Sequence, residues 1–116
     1  MSSKDNIILN KSYAFALEII SIYKLLKQHQ EFEIGKQLLR SGTSIGANIN
    51  EATAAQSKKD FIAKMSIASK EARETRYWLN LVKDSKMLEI DYNKILKEMA
   101  EIISILTAIV KTSQQN

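Results

Sequence analysis

The chain has 116 residues, 45% hydrophobic and 26% charged, with a formal net charge of +4. That composition suits one globular domain and excludes a disordered chain. There is no proline, no cysteine and only three glycines, so little interrupts long helices, and disulfides and thiolate metal sites are excluded.

Residues 1–10 are polar apart from Ile7-Ile8-Leu9 and lack the basic start and long apolar run of a signal peptide. The most apolar stretch, Ile102 to Val110, is shorter than the ~20 residues that cross a bilayer. With no cysteine to oxidise, the expectation is a cytoplasmic protein.

The first helix is expected over about 10–28. Phe15, Ile19, Ile22 and Leu26 recur at helical spacing and mark one buried face. His29 falls at its end, where a surface or capping role outweighs that of a ligand.

The second helix is expected over about 32–54, centred on Ile34, Leu38, Ile45, Ile49 and Ala52. One flank holds Gly35, Gly42 and Gly46, all the glycines of the chain. Each costs roughly 0.5–1 kcal/mol against alanine inside a helix. Their placement on one stripe therefore predicts close packing of another helix. The opposite flank holds Gln37, Ser41, Ser44, Asn48 and Glu51, with Arg40 beside it. Buried polar groups need partners. The favoured reading is a structural polar network of Arg40, Ser44, Asn48 and Glu51 with Glu71 and Glu74; the other is a ligand site.

The third helix is expected over about 58–86, with Ser57 as N-cap and Asp60 in the first turn. Phe61, Met65, Ala68, Ala72, Thr75, Leu79 and Val82 form a heptad seam, and Ile67, Trp78 and Leu81 an apolar flank. Residues 58–86 hold eight basic and four acidic side chains, an excess equal to that of the whole chain. A solvated helix face is the plain reading. The other is a nucleic-acid surface of Lys59, Lys70, Arg73, Arg76 and Lys83, with Tyr77 as a stacking platform for a base.

After a polar link near 87–90, the fourth helix is expected over about 91–112, capped by Asp91, with Ile90 and Ile95 as a hydrophobic staple. Its seam is Ile95, Met99, Ile102, Leu106 and Ile109; Lys94–Glu98 and Lys97–Glu101 are expected as solvent-side pairs. Residues 112–116 are expected to fray. Four helices with short links make an all-α, antiparallel up-down-up-down bundle, one domain over 1–116. The apolar arcs of the first and fourth helices are wide, and the third has its Trp78 flank to spare. The surplus predicts association with further copies of the chain.

The run Gln37-Leu-Leu-Arg-Ser-Gly-Thr-Ser-Ile-Gly-Ala-Asn-Ile-Asn-Glu51 carries a specific resemblance, continued in Ser57-Lys-Lys-Asp-Phe-Ile62, Ile67-Ala68 and Lys70-Glu-Ala-Arg-Glu-Thr-Arg-Tyr-Trp-Leu79. Lys11-Ser12 and Ala14 to Tyr23 also fit. The chain resembles the four-helix-bundle family first noted in intervening sequences of large-subunit ribosomal RNA genes. That family includes the accessory variability protein of diversity-generating retroelements. Asn50 and Ala52 depart from the usual pattern, without bearing on the fold. The resemblance implies a ring-like homopentamer. It also implies the role of its retroelement relatives, basic nucleic-acid-binding partners of a reverse transcriptase.

Enzyme signatures are missing. A carboxylate-bridged di-metal bundle uses two Glu-x-x-His pairs, whereas the one histidine is preceded at that spacing by Leu26. No P-loop, dinucleotide fingerprint or nucleophile motif occurs. No catalytic residue, cofactor or metal is expected. The expectation is a non-catalytic, homo-oligomeric accessory protein that binds RNA or DNA. The alternative is a protein–protein scaffold that binds no nucleic acid.

Overall fold

A computed structural model describes residues 3–115, with side chains from Asn6 onward. Among them are four helices and no strand: α1 (Ser3–Gln28), α2 (Phe32–Thr53), α3 (Lys58–Asp84) and α4 (Asn93–Gln115). Each packs on its two neighbours in the order α1, α2, α3, α4 and back to α1, in a body of 46 × 22 × 19 Å. The pairings run antiparallel. An added Cβ at Gly35 would meet Leu26, one at Gly42 Ile19, and one at Gly46 Ser12. Glu51 meets Lys64 while Arg40 meets Glu71, and Lys11 meets Glu101 while Lys94 meets Glu18.

The seams meet in one core. Phe15, Ile19, Leu26, Leu38, Ile45, Ile49, Met65, Leu79, Met99 and Leu106 are all fully buried. Each large apolar side chain so buried contributes about 1.5–3 kcal/mol, and this common core outweighs the helix propensity sacrificed at the glycines.

Several boundaries differ from the sequence expectation. α1 begins at Ser3, well before residue 10. Ile8 and Ser12 extend its seam and both are fully buried. A serine hides this position from any apolar pattern. Its hydroxyl donates to Leu9 O at 3.1 Å, so its burial leaves no unpaired polar group. α3 stops at Asp84, and α4 runs from Asn93 to Gln115 instead of fraying after residue 112. The link between them is not simply polar: Leu88 and Tyr92 are buried, and the Tyr92 hydroxyl donates to Leu88 O at 2.6 Å. Burial also raises the Tyr92 pKa, with the nearby Glu89 charge adding to it.

The helix ends use local chemistry. Ser57 Oγ accepts from Asp60 N at 3.0 Å, and Asp91 Oδ1 accepts from Asn93 N at 2.9 Å. α1 closes through Glu31 N to Leu26 O and Gln30 N to Lys27 O, a Schellman arrangement that usually places glycine at its left-handed residue. Here that residue is Gln30, at φ 61°. The glycines lie instead where helix packing is closest, on α2.

Candidate functional site

The glycine stripe faces α1. A Cβ at Gly42 would stand 2.7 Å from Ile19 Cγ2, one at Gly46 3.4 Å from Ser12 Oγ, and one at Gly35 3.5 Å from Leu26 Cβ. All three glycines are buried.

The opposite flank of α2 divides into three separate arrangements. Ser44 and Asn48 bond within their own helix, Ser44 Oγ to Arg40 O at 2.6 Å and Asn48 Nδ2 to Ser44 O at 2.8 Å. Glu51, largely exposed, pairs with Lys64 at 3.3 Å. Arg40 alone crosses to the α3 glutamates: Nη1 lies 3.1 Å from Glu71 Oε2, and Nη2 pairs with Glu74. Glu74 Oε2 also accepts from Trp78 Nε1 at 3.0 Å. The six residues therefore do not share one network. Hydroxyl and amide side chains one turn from a helical carbonyl satisfy themselves locally, and only the long guanidinium reaches the next helix. Buried Ser41 and Thr75 follow the same rule, bonding to Gln37 O and Glu71 O.

This clamp sorts the charges of α3. Glu71 and Glu74 turn toward α2 and Arg40, and Asp84 lies 3.8 Å from Lys83. Among the described residues, Lys59, Lys70, Arg73 and Arg76 have no carboxylate within 4.0 Å, and all four are exposed. Arg73 reaches toward α4, where Nη2 donates to Thr107 Oγ1 at 3.0 Å. Tyr77, 58% exposed, lies edge-on to Trp78 with ring centroids 5.1 Å apart. Tyr77 follows Arg73 by one turn and Lys70 by two, so the exposed ring and these basic side chains share the outward face of α3.

Two grooves run along α4. One lies between α1 and α4, where Lys11 pairs with Glu101 at 2.9 Å and Lys94 lies 3.4 Å from Glu18 and 3.7 Å from Glu98. Lys97 is not paired with Glu101, because Lys11 holds that carboxylate and draws its pKa down. Glu98 shifts the other way: a hydrogen bond with Glu18, then burial, raises its carboxyl above the ordinary range, against the opposing pull of Lys94. The Lys94 ammonium is raised, first by the Glu18 charge. The second groove lies between α3 and α4 and contains Arg73 and Lys111. Sequence reasoning missed Thr107 and Lys111, whose i,i+4 spacing puts them on one face of α4; their position opposite Arg73 depends on the register of two helices. No group of three or more potential metal ligands occurs among the described residues.

The surplus apolar surface is unevenly distributed. Tyr13 (68% exposed) and Leu17 (52%) lie on α1, Phe32 (46%) opens α2, and Ile67 and Leu81 are also exposed on α3. α4 adds no large exposed apolar residue among those described; Leu96, Ile105 and Val110 are packed against the core. Trp78 is likewise half-buried, its indole held by Glu74. No described helix is long and apolar enough to cross a membrane.

Residues 4–108 match a family model described as 23S rRNA-intervening sequence protein. The chain is similar to a crystallised protein of unknown function from the S23 ribosomal protein family of Bacteroides thetaiotaomicron. The two are 48% identical with a TM-score of 0.88, over 93% of this chain and 98% of that one. No curated protein matches it.

Proposed function

The chain belongs to the 23S rRNA-intervening sequence protein family, and on that premise we propose that it is a non-catalytic, cytoplasmic accessory protein that binds structured RNA or DNA through α3. The observation that carries this reading is the sorting of charge on that helix. Two of its carboxylates are engaged by Arg40 of α2, while Lys59, Lys70, Arg73 and Arg76 stand exposed without acidic partners. Unpaired cations suit phosphate contacts, and their long side chains tolerate sequence variation.

Self-association strengthens the proposal. The exposed Tyr13 and Leu17 on α1 and Phe32 on α2 offer apolar surface for further copies of the chain, in a pentameric ring as the family resemblance implies. A ring repeats the basic surface and converts weak contacts into avidity. A reverse transcriptase is the partner enzyme this reading names.

Filter binding of a mixed-sequence RNA hairpin tests the reading. Binding is expected at low salt and falls steeply as salt rises. Arg73→Glu with Arg76→Glu should abolish it while leaving the melting temperature unchanged. Retention of full RNA affinity by that variant, or no wild-type binding at low salt, would leave the scaffold reading in its place.

A further inference from the structure

The two grooves beside α4 are opposite in character. The α1/α4 groove, about 520 Å³, is bordered by Lys11, Lys94 and Lys97 and by Glu18, Glu98 and Glu101. Its cations are matched in number by carboxylates, and two of them are engaged in ion pairs. An anion entering there must compete with fixed negative charge. The α3/α4 groove, about 280 Å³, is bordered by Ser66, Ser69, Arg73, Thr107, Lys111 and Gln114, with no carboxylate in its lining. Each of these six side chains can donate a hydrogen bond, and two are cations.

Arg73 is already positioned across this groove. Its Nη2 donates to Thr107 Oγ1 at 3.0 Å, and that hydroxyl donates its own proton to Ile103 O at 2.7 Å. The threonine therefore serves as the acceptor that steadies the guanidinium. Among the described residues this is the only side-chain hydrogen bond Arg73 makes, so most of its five N–H donors remain for a ligand. A planar guanidinium with free paired donors matches a phosphoryl oxyanion.

We infer that the α3/α4 groove seats a backbone phosphate of the bound nucleic acid, with Arg73 and Lys111 as its charge partners and the Ser66 and Ser69 hydroxyls as further donors. This rests on the nucleic-acid reading above and adds where the backbone lies.

The test compares two full-length variants of equal charge change, Arg73→Gln with Lys111→Gln, and Lys94→Gln with Lys97→Gln. The probe is a mixed-sequence RNA hairpin titrated at several salt concentrations. The first variant should bind at least about tenfold more weakly, and its log–log salt slope should shrink by roughly 0.9 for each phosphate it no longer neutralises. The second should stay within about twofold of wild type. Equal weakening in both would mean that net charge alone governs binding, overturning the groove assignment but not nucleic-acid binding itself. Failure of the wild type to bind RNA would overturn both. Inorganic phosphate titrated against the Ser69 and Thr107 amide resonances separates the sources. Shifts in the wild type with RNA binding absent would assign the groove to free phosphate and overturn the backbone proposal.

Discussion

Gly42 of α2 lies directly against Ile19 of α1: a Cβ at position 42 would sit 2.7 Å from Ile19 Cγ2, 2.9 Å from Cγ1 and 3.2 Å from Cβ. These atoms belong to the root of a β-branched side chain with restricted rotamers, so they cannot swing aside. Gly42→Ala is therefore expected to destabilise the protein by about 1–3 kcal/mol, the usual range for overpacking. Gly35→Ala should do the reverse. Its new methyl would meet Leu26 and Tyr23 at ordinary contact distance, and the gain in helix propensity is about 0.5–1 kcal/mol. Urea denaturation of both variants distinguishes them; the same sign in each would contradict this account of the stripe.

Arg40 neutralises two carboxylates one turn apart on α3. Arg40→Gln leaves Glu71 and Glu74 facing each other and removes charge-assisted hydrogen bonds. The guanidinium is about half exposed, so the expected loss is moderate, about 1–2 kcal/mol. Adding Glu74→Gln should recover part of it. A double-mutant cycle with no coupling would show that the clamp is incidental to stability.

Glu98 should give stability a pH dependence of unusual sign. Its raised carboxyl pKa, caused first by the hydrogen bond with Glu18 and then by burial, means that the folded chain holds this proton more tightly than the unfolded chain. The resulting stabilisation is complete below the unfolded value of about 4.3 and is lost as pH rises through the folded value. Glu98→Gln carries a permanent hydrogen-bond donor. It should flatten this part of the curve above pH 4 and raise stability at pH 7. Denaturant midpoints measured from pH 4 to 7 check the sign; an unchanged pH profile would refute it.

Tyr13 and Leu17 lie one turn apart and largely exposed on α1. If they join copies of the chain, Tyr13→Ser with Leu17→Ser should reduce the mass found by sedimentation while circular dichroism stays helical. A wild type that sediments as a monomer at micromolar concentration would remove the basis for the ring.

Much of this protein is determined within a few residues of each position. Helical periodicity, the Ser57 cap and the need to place Gly42 against a neighbour follow from local backbone geometry and side-chain volume. So does the motif Gln37 to Glu51 that marks the family. The missed start of α1 has a local cause, since Ser12 interrupts the apolar pattern between Ile8 and Phe15; why a serine fits there is a tertiary matter, the contact with Gly46 of α2.

The tertiary structure alone decided that α1 is the helix on the glycines, that Arg40 reaches Glu71 and Glu74 while Glu51 pairs with Lys64, and that Glu101 pairs with Lys11, 90 positions away, and not with Lys97. It also decided that the grooves on the two sides of α4 differ in charge balance. Each of these depends on the rotation and register of one helix against another. Those are set by packing the whole core, which no local stretch of sequence encodes.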